Sequence, residues 1–178
     1  MIKLVGDSAK NIDALITAIT SNQNLMKCLY YTQNDEDILS LPNLNAKQKA
    51  EVMKNNIYKY RKLPVASDKT QKTYLAIEYG QRNYGSQGQK YNKSNIWYQS
   101  VEMRILVMST GSQDVNEYIG SRIDRIEEEI VDLFHKSSVL PSFSYSYVNG
   151  SSPISLTEEY IGRAISIVFV VSQNEMLR

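Results

Sequence analysis

An α+β fold, with a mostly antiparallel sheet of about four strands that carries a long helix and the N-terminal helices on one face, is predicted by three stretches of the chain. Between Trp97 and Val107, the apolar residues Trp97, Val101, Met103, Ile105 and Val107 recur at odd positions while Ser100, Glu102 and Arg104 lie between them, the two-residue period of a half-buried strand. Next, Ser112 or Asp114 can cap a helix in which Val115, Ile119, Ile123, Ile126, Ile130 and Leu133 or Phe134 recur at three- and four-residue steps. His135 and Lys136 suit the negative C-terminal end of that helix. Two strand-like runs, Phe143–Val148 and Tyr160–Gln173, supply the closing strands.

The remaining elements follow in chain order. Asp7 or Ser8 precedes Ile12, Leu15, Ile16 and Ile19, an amphipathic helix with Asn22 near its end, and Leu25–Tyr31 forms a second short helical segment. Residues 32–44 carry Asp35, Glu36 and Asp37 and end in a Leu41-Pro42-Asn43 break, which reads as a surface connection. Asn45 then caps a helix to about Asn56. Leu63-Pro64-Val65 cannot sit within a helix and leads to Tyr74–Tyr79, where Leu75, Ile77 and Tyr79 alternate with Ala76 and Glu78 as the first strand. Gly80–Asn95, rich in Gly, Gln, Asn and Tyr, is expected to be a long hairpin arm before the Trp97 strand. One domain therefore spans residues 1–178, with a helical part over 1–60, the sheet and long helix over 74–173, and the arm over 80–95.

Composition limits what this fold can do. A formal net charge of +1 gives no strong overall attraction to nucleic acid, so any DNA contact has to be local. The one cysteine, Cys28, cannot form an internal disulfide, and with the one histidine, His135, it cannot supply a four-ligand structural zinc site. A reducing compartment is the simpler expectation. Met1–Val5 is too short for the apolar region of a signal peptide, and no apolar run approaches the roughly 20 residues of a membrane span. Tyrosine is frequent at 13 residues, and its apolar ring with one polar tip suits interfaces as well as cores.

The arm carries Arg82, Tyr84, Lys90, Tyr91 and Lys93 and no acidic residue. Cations interleaved with aromatics can hold a phosphate backbone and stack bases, so the arm is a candidate DNA-facing or subunit-contacting element; a plain solvated loop is the bland alternative. Motif resemblances there fail on context. Gly80 and Gly85 have phosphate-loop spacing, but Ser86 stands where the lysine is needed, and Gly85-Ser86-Gln87-Gly88 matches an RNA-binding loop that joins two helices, whereas strands flank it here. Asn92-Lys93-Ser94 and Asn149-Gly150-Ser151 fit the glycosylation pattern but read as turn residues.

Catalytic groupings are thin, and no enzyme activity, cofactor or metal is expected. Cys28 lies among Met26, Leu29 and Tyr30, where a small buried hydrophobe is the common outcome, so pairing with His135 as nucleophile and base is disfavoured. Glu127, Glu128 and Glu129 are consecutive and fan around a helix as a solvated face. Arg122, Arg125, Glu128 and Asp132 are expected on the outer face of the long helix, where they can set the register of a neighbouring subunit. Gly120 and Gly162 are expected where helix and sheet approach closely.

The order of a leading helix, the segment Leu25-Met26-Lys27-Cys28-Leu29-Tyr30-Tyr31, a helix at Asn45, a strand, an arm, the Trp97 strand, the helix at Tyr118-Ile119-Gly120-Ser121-Arg122-Ile123-Asp124 and closing strands resembles the tail-terminator and neck-ring proteins of tailed bacteriophages. The resemblance covers nearly the whole chain and is one of topology, not of a catalytic motif. It implies a virion subunit, made in the host cytoplasm, that forms a homo-oligomeric ring, a hexamer or dodecamer. Such a ring joins other head, neck and tail proteins and touches passing DNA transiently, and the arm orders against a neighbour. The alternative from another class is a sequence-independent nucleic-acid-binding protein that uses Arg82, Lys90 and Lys93. A small enzyme with an unrecognised site stands third.

Overall fold

The computed structural model describes residues 8–31, 38–59, 73–84, 98–110, 122–138, 145–157 and 160–172. Helices α1 (Ser8–Ser21), α2 (Gln23–Tyr30), α3 (Ala46–Asn55) and α4 (Arg122–Phe134) accompany strands β1 (Ile57–Lys59), β2 (Thr73–Tyr84), β3 (Tyr98–Thr110), β4 (Tyr145–Thr157) and β5 (Tyr160–Ser172). The strands form one sheet in the order β1-β2-β3-β5-β4, antiparallel except for the short β1–β2 pair. The expected α+β architecture is present, with five strands in place of about four. The additional strand is β1, which directly follows the end of α3 and pairs Ile57 with Leu75.

Local chemistry explains the helix ends. Asn22 closes α1 and caps α2, its side chain accepting from the Leu25 N–H at 3.1 Å. Asn45 and Gln48 form a reciprocal capping box at the start of α3. Past α4, Lys136 adopts a left-handed φ of 52° that turns the chain away. The buried Ser146 of β4 donates its hydroxyl to the Phe134 carbonyl at 2.8 Å, which satisfies one of the carbonyls a helix end leaves open.

All four helices cover the same face of the sheet. Leu75 and Ile77 of β2, Met103, Ile105 and Val107 of β3, and Ile165, Ile167 and Phe169 of β5 are fully buried there. Against them pack Ile12, Leu15 and Ile19 of α1, Leu25 and Met26 of α2, Val52 of α3, and Ile126, Ile130 and Phe134 of α4. Leu44 is buried in the same cluster, and Lys27 of α2, itself buried, donates to the Leu39 carbonyl at 2.7 Å. The connection expected at the surface is therefore anchored into the core at its C-terminal half. The second face carries a smaller cluster of Tyr74, Ala76 and Leu106.

Strand limits differ most from the expectation at two bulges, while β3 also runs three residues further, to Thr110. Gly80 does not begin a loop: β2 runs on to Tyr84, with the register shifting between Tyr79 and Arg82. A Cβ on Gly80 would stand 2.7 Å from the Glu102 carboxyl carbon, so a side chain at this bulge would have to push the Glu102 carboxylate aside. Likewise Asn149-Gly150-Ser151 is not a turn. It lies within β4, where Gly150 at φ 155° opposes Ser166 across a register shift. Gly162 faces Met108 and Ile154 in the register, which by alternation is the face away from the helices, so helix packing does not account for it. Gly120, Trp97, Phe143 and the residues 112–119 of the expected longer helix lie outside the described residues.

Candidate assembly surface

The surface of α4 is built by its sequence period. Arg122, Ile126, Ile130 and Phe134, four residues apart, are buried, and Asp124, Glu128 and Asp132 occupy the exposed side at the same spacing. The expectation for Arg122 is therefore corrected. It is 3% exposed and its guanidinium Nη1 donates to the Tyr31 carbonyl, so it belongs to the subunit interior and not to the outer face. Its place four residues before Ile126 is the sequence signal that marks it.

Around the same helix, Arg125 Nη1 meets Glu128 Oε2 at 2.9 Å. The three consecutive glutamates do fan out, yet only Glu128 is strongly exposed. Glu127 accepts from Arg163 Nε of β5 at 2.6 Å, and Glu129 accepts from the side-chain amides of Asn22 and Asn24, each at 3.1 Å. Glu127 thus ties α4 to the sheet, and Glu129 ties it to the first turn of α2. Asp132 is exposed and makes no ion pair among the described residues.

The five candidate residues of the arm divide. Arg82 and Tyr84 belong to β2, opposite Val101 and Gln99. Lys90, Tyr91 and Lys93 lie outside the described residues. What the structure adds is a pair of unlike sheet edges. At one side β4 is the last strand, and among the described residues only Ser146 on its outer margin is engaged by a backbone bridge, to Ser137. At the other side β1 covers β2 over Leu75–Ile77 alone, so from Glu78 to Tyr84 the outer margin of β2 has no strand partner among the described residues. An edge of this kind presents unpaired N–H and C=O groups to another chain. On β4 the rings of Tyr145 and Tyr147 stack at 6.2 Å, and Tyr145 is 45% exposed.

The second face holds an open trough of about 460 Å³, lined by Glu78, Glu102, Arg104, Gly150 and Ser166 among others. Ser166 donates its hydroxyl to Glu102 at 2.7 Å and Arg104 Nε donates to the same carboxylate oxygen at 3.1 Å, so Glu102 and Arg104 are paired there. Cys28 is buried, and that burial pushes its thiol up to about 11, away from the thiolate a nucleophile needs. The charges that act on it are Arg122, Glu129 and Arg125, in the first two turns of α4, whereas His135 lies past the other end, about 15 Å along from Arg125 at 1.5 Å per residue. Burial also raises the Tyr58 phenol. Among the described residues no three His, Cys, Asp or Glu side chains are grouped to hold a metal, and no helix is long and apolar enough to cross a membrane.

Residues 22–169 match the YomW protein family, from the cap of α2 through the core of β5. No curated protein matches the chain. The matched span takes in β1 to β4 and β5 as far as Phe169, and leaves out α1, although α1 contributes Ile12, Leu15 and Ile19 to the core.

Proposed function

The chain belongs to the YomW family, a phage-type family of the Bacillus SPbeta kind, and from that premise we propose that it is a structural virion subunit, a tail terminator or head–tail neck protein that assembles into a homo-oligomeric ring. The observation that carries this reading is the pair of unlike sheet edges. Two different edges meeting head to tail make a heterologous contact, and such contacts close into rings when the rotation per subunit divides a full turn. Strand direction fits this contact: β2 and β5 run one way and β3 and β4 the other, so β4 beside a neighbour's β2 continues the antiparallel alternation.

In this reading the arm over 80–95, including Lys90, Tyr91 and Lys93, contacts the next subunit, and Arg125, Glu128 and Asp132 help set the register between subunits. The ring joins other head, neck and tail proteins and lets DNA pass. A chain of net charge +1 suits that passage, because a strongly basic lumen would hold the duplex by counterion release. The protein functions in the virion after assembly in the host cytoplasm, without catalysis.

Native mass spectrometry of the purified chain tests the reading. A ring gives a closed multiple of the 20.3 kDa subunit, a hexamer or dodecamer. A monomer at every concentration, together with salt-sensitive DNA binding that is lost when Arg82, Lys90 and Lys93 are neutralised, favours the nucleic-acid-binding alternative instead.

A further inference from the structure

We propose that the joint between two copies of this chain has one register: Tyr79 of one copy opposite Ser155 of the next, Arg82 opposite Pro153, and Tyr84 opposite Ser151. This rests on the ring reading and names the backbone groups that make its contact.

The ladder of the sheet decides which groups face outward on β2. Alternate residues of a strand turn both N–H and C=O to the same side. The Leu75 N–H donates away from β3, to the Asn56 carbonyl at 2.8 Å, so Leu75, Ile77 and Tyr79 face outward. Ile77 is the last of these beside β1, opposite Lys59. The register shift between Tyr79 and Arg82 adds one residue to β2, after which Arg82 and Tyr84 take the outward positions.

On β4 the same accounting starts from Ser146, which exchanges both backbone bonds with Ser137, at 2.7 and 3.2 Å. The next outward group, the Val148 N–H, donates to His135 Nδ1 at 3.4 Å. The shift between Val148 and Gly150 then resets the alternation, so Ser151, Pro153 and Ser155 face outward until the second shift, between Ser155 and Thr157. Pro153 fits this assignment: it has no N–H, and a strand tolerates that only where the nitrogen points away from the ladder.

The two free stretches match in length and in their interruptions. Laid antiparallel, Gly80 and Gln81 of the β2 bulge together oppose Ile154, and Asn83 opposes Ser152. A slip of two residues sets Tyr84 or Tyr79 against one of the bulges of β4, and a slip of one sets outward groups against inward ones. Strand direction, edge length and bulge position therefore select the same partner, a second copy of this chain, in one alignment.

Cysteine trapping tests the register. Residues 83 and 152 fall in a non-hydrogen-bonded pair, where Cα atoms stand about 4.5 Å apart, within disulfide range. The full chain with Asn83→Cys and Ser152→Cys is expected to give covalent oligomers beyond the dimer on mild oxidation, reversed by reductant, while its reduced form melts near the wild type. Cys28 is buried and stays out of the exchange. Either change alone is expected to give no ladder. Asn83→Cys with Ile154→Cys, a diagonal pair about 7–8 Å apart, is expected to link at least about tenfold more slowly. If the cysteine pair disturbs folding, Ser155→Pro replaces it. That change removes an N–H that points away from β5, and it is expected to weaken association at least about tenfold in sedimentation velocity. No linking, faster linking of the displaced pair, or wild-type association of Ser155→Pro, in a chain that still forms its ring, overturns this register alone. Linked product that stops at the dimer, or a wild-type chain that stays monomeric at every concentration, overturns the ring reading and the joint with it.

Discussion

The two faces of the sheet differ in what their residues do. On the helix-covered face the alternate positions of β2, β3 and β5 are filled by Leu75, Ile77, Met103, Ile105, Val107, Ile165, Ile167 and Phe169, all fully buried. On the second face, Tyr74, Ala76 and Leu106 cluster at one end, and the pattern then turns to Glu78, Glu102, Arg104 and Ser166 around an open trough. The difference teaches that stability is concentrated on one side. The second face, the β4 edge and the far part of β2 contribute less to the fold and leave surface available to another chain.

The sharpest way to break that comparison is to empty the first face. Phe134 is fully buried at the end of α4 and meets Phe169 edge to face at 6.2 Å. Phe134→Ala is expected to cost about 3–5 kcal/mol in denaturant unfolding, as large-to-small core changes do. A cost below that of an average surface change would mean the helix face is wrongly placed.

The next effect is alkaline. Burial raises the Cys28 thiol from 9.0 to about 11, so the fold keeps the neutral form. That contribution is complete below pH 9 and is lost as pH rises from 9 toward 11, a loss of roughly 2 kcal/mol at about 1.4 kcal/mol per unit. In chemical unfolding, Cys28→Ala is expected to decline less over that interval than the wild type does. A maleimide at pH 8 is expected to label Cys28 only as fast as the chain opens; immediate labelling would place the thiol outside the core.

The smallest effect belongs to the second face. Arg104 is about half exposed and pairs with Glu102, so Arg104→Ala is expected to cost less than about 1 kcal/mol. A loss approaching that of Phe134→Ala would remove the contrast between the faces.

Where the sequence expresses a period or a cap, the fold was legible. The Asn45 helix begins at its capping box and ends where expected, and the alternation of Met103, Ile105 and Val107 names the covered face of β3. Shorter or interrupted patterns hid the rest. The three residues of β1 are too few to show a period, and the bulges at Gly80 and Gly150 break alternation with residues that usually mark turns, concealing the length of β2 and β4. On the candidate surface, the exposed positions of Glu128 and Asp132 were readable from helical spacing. Arg122 was misplaced because its charge outweighed its position on the apolar stripe. The unlike sheet edges became visible only with strand order, which depends on pairings between residues far apart in sequence.

Amide hydrogen exchange on dilute and on concentrated, assembled protein tests the central claim most directly, since it reads the edges themselves. The account predicts that backbone amides on the outer margins of β4 beyond Val148 and of β2 from Glu78 to Tyr84 exchange quickly in the isolated subunit and slow on assembly, while those of Ile126 and Ile130 are protected in both states. Unchanged exchange along both edges in an assembled oligomer would contradict it.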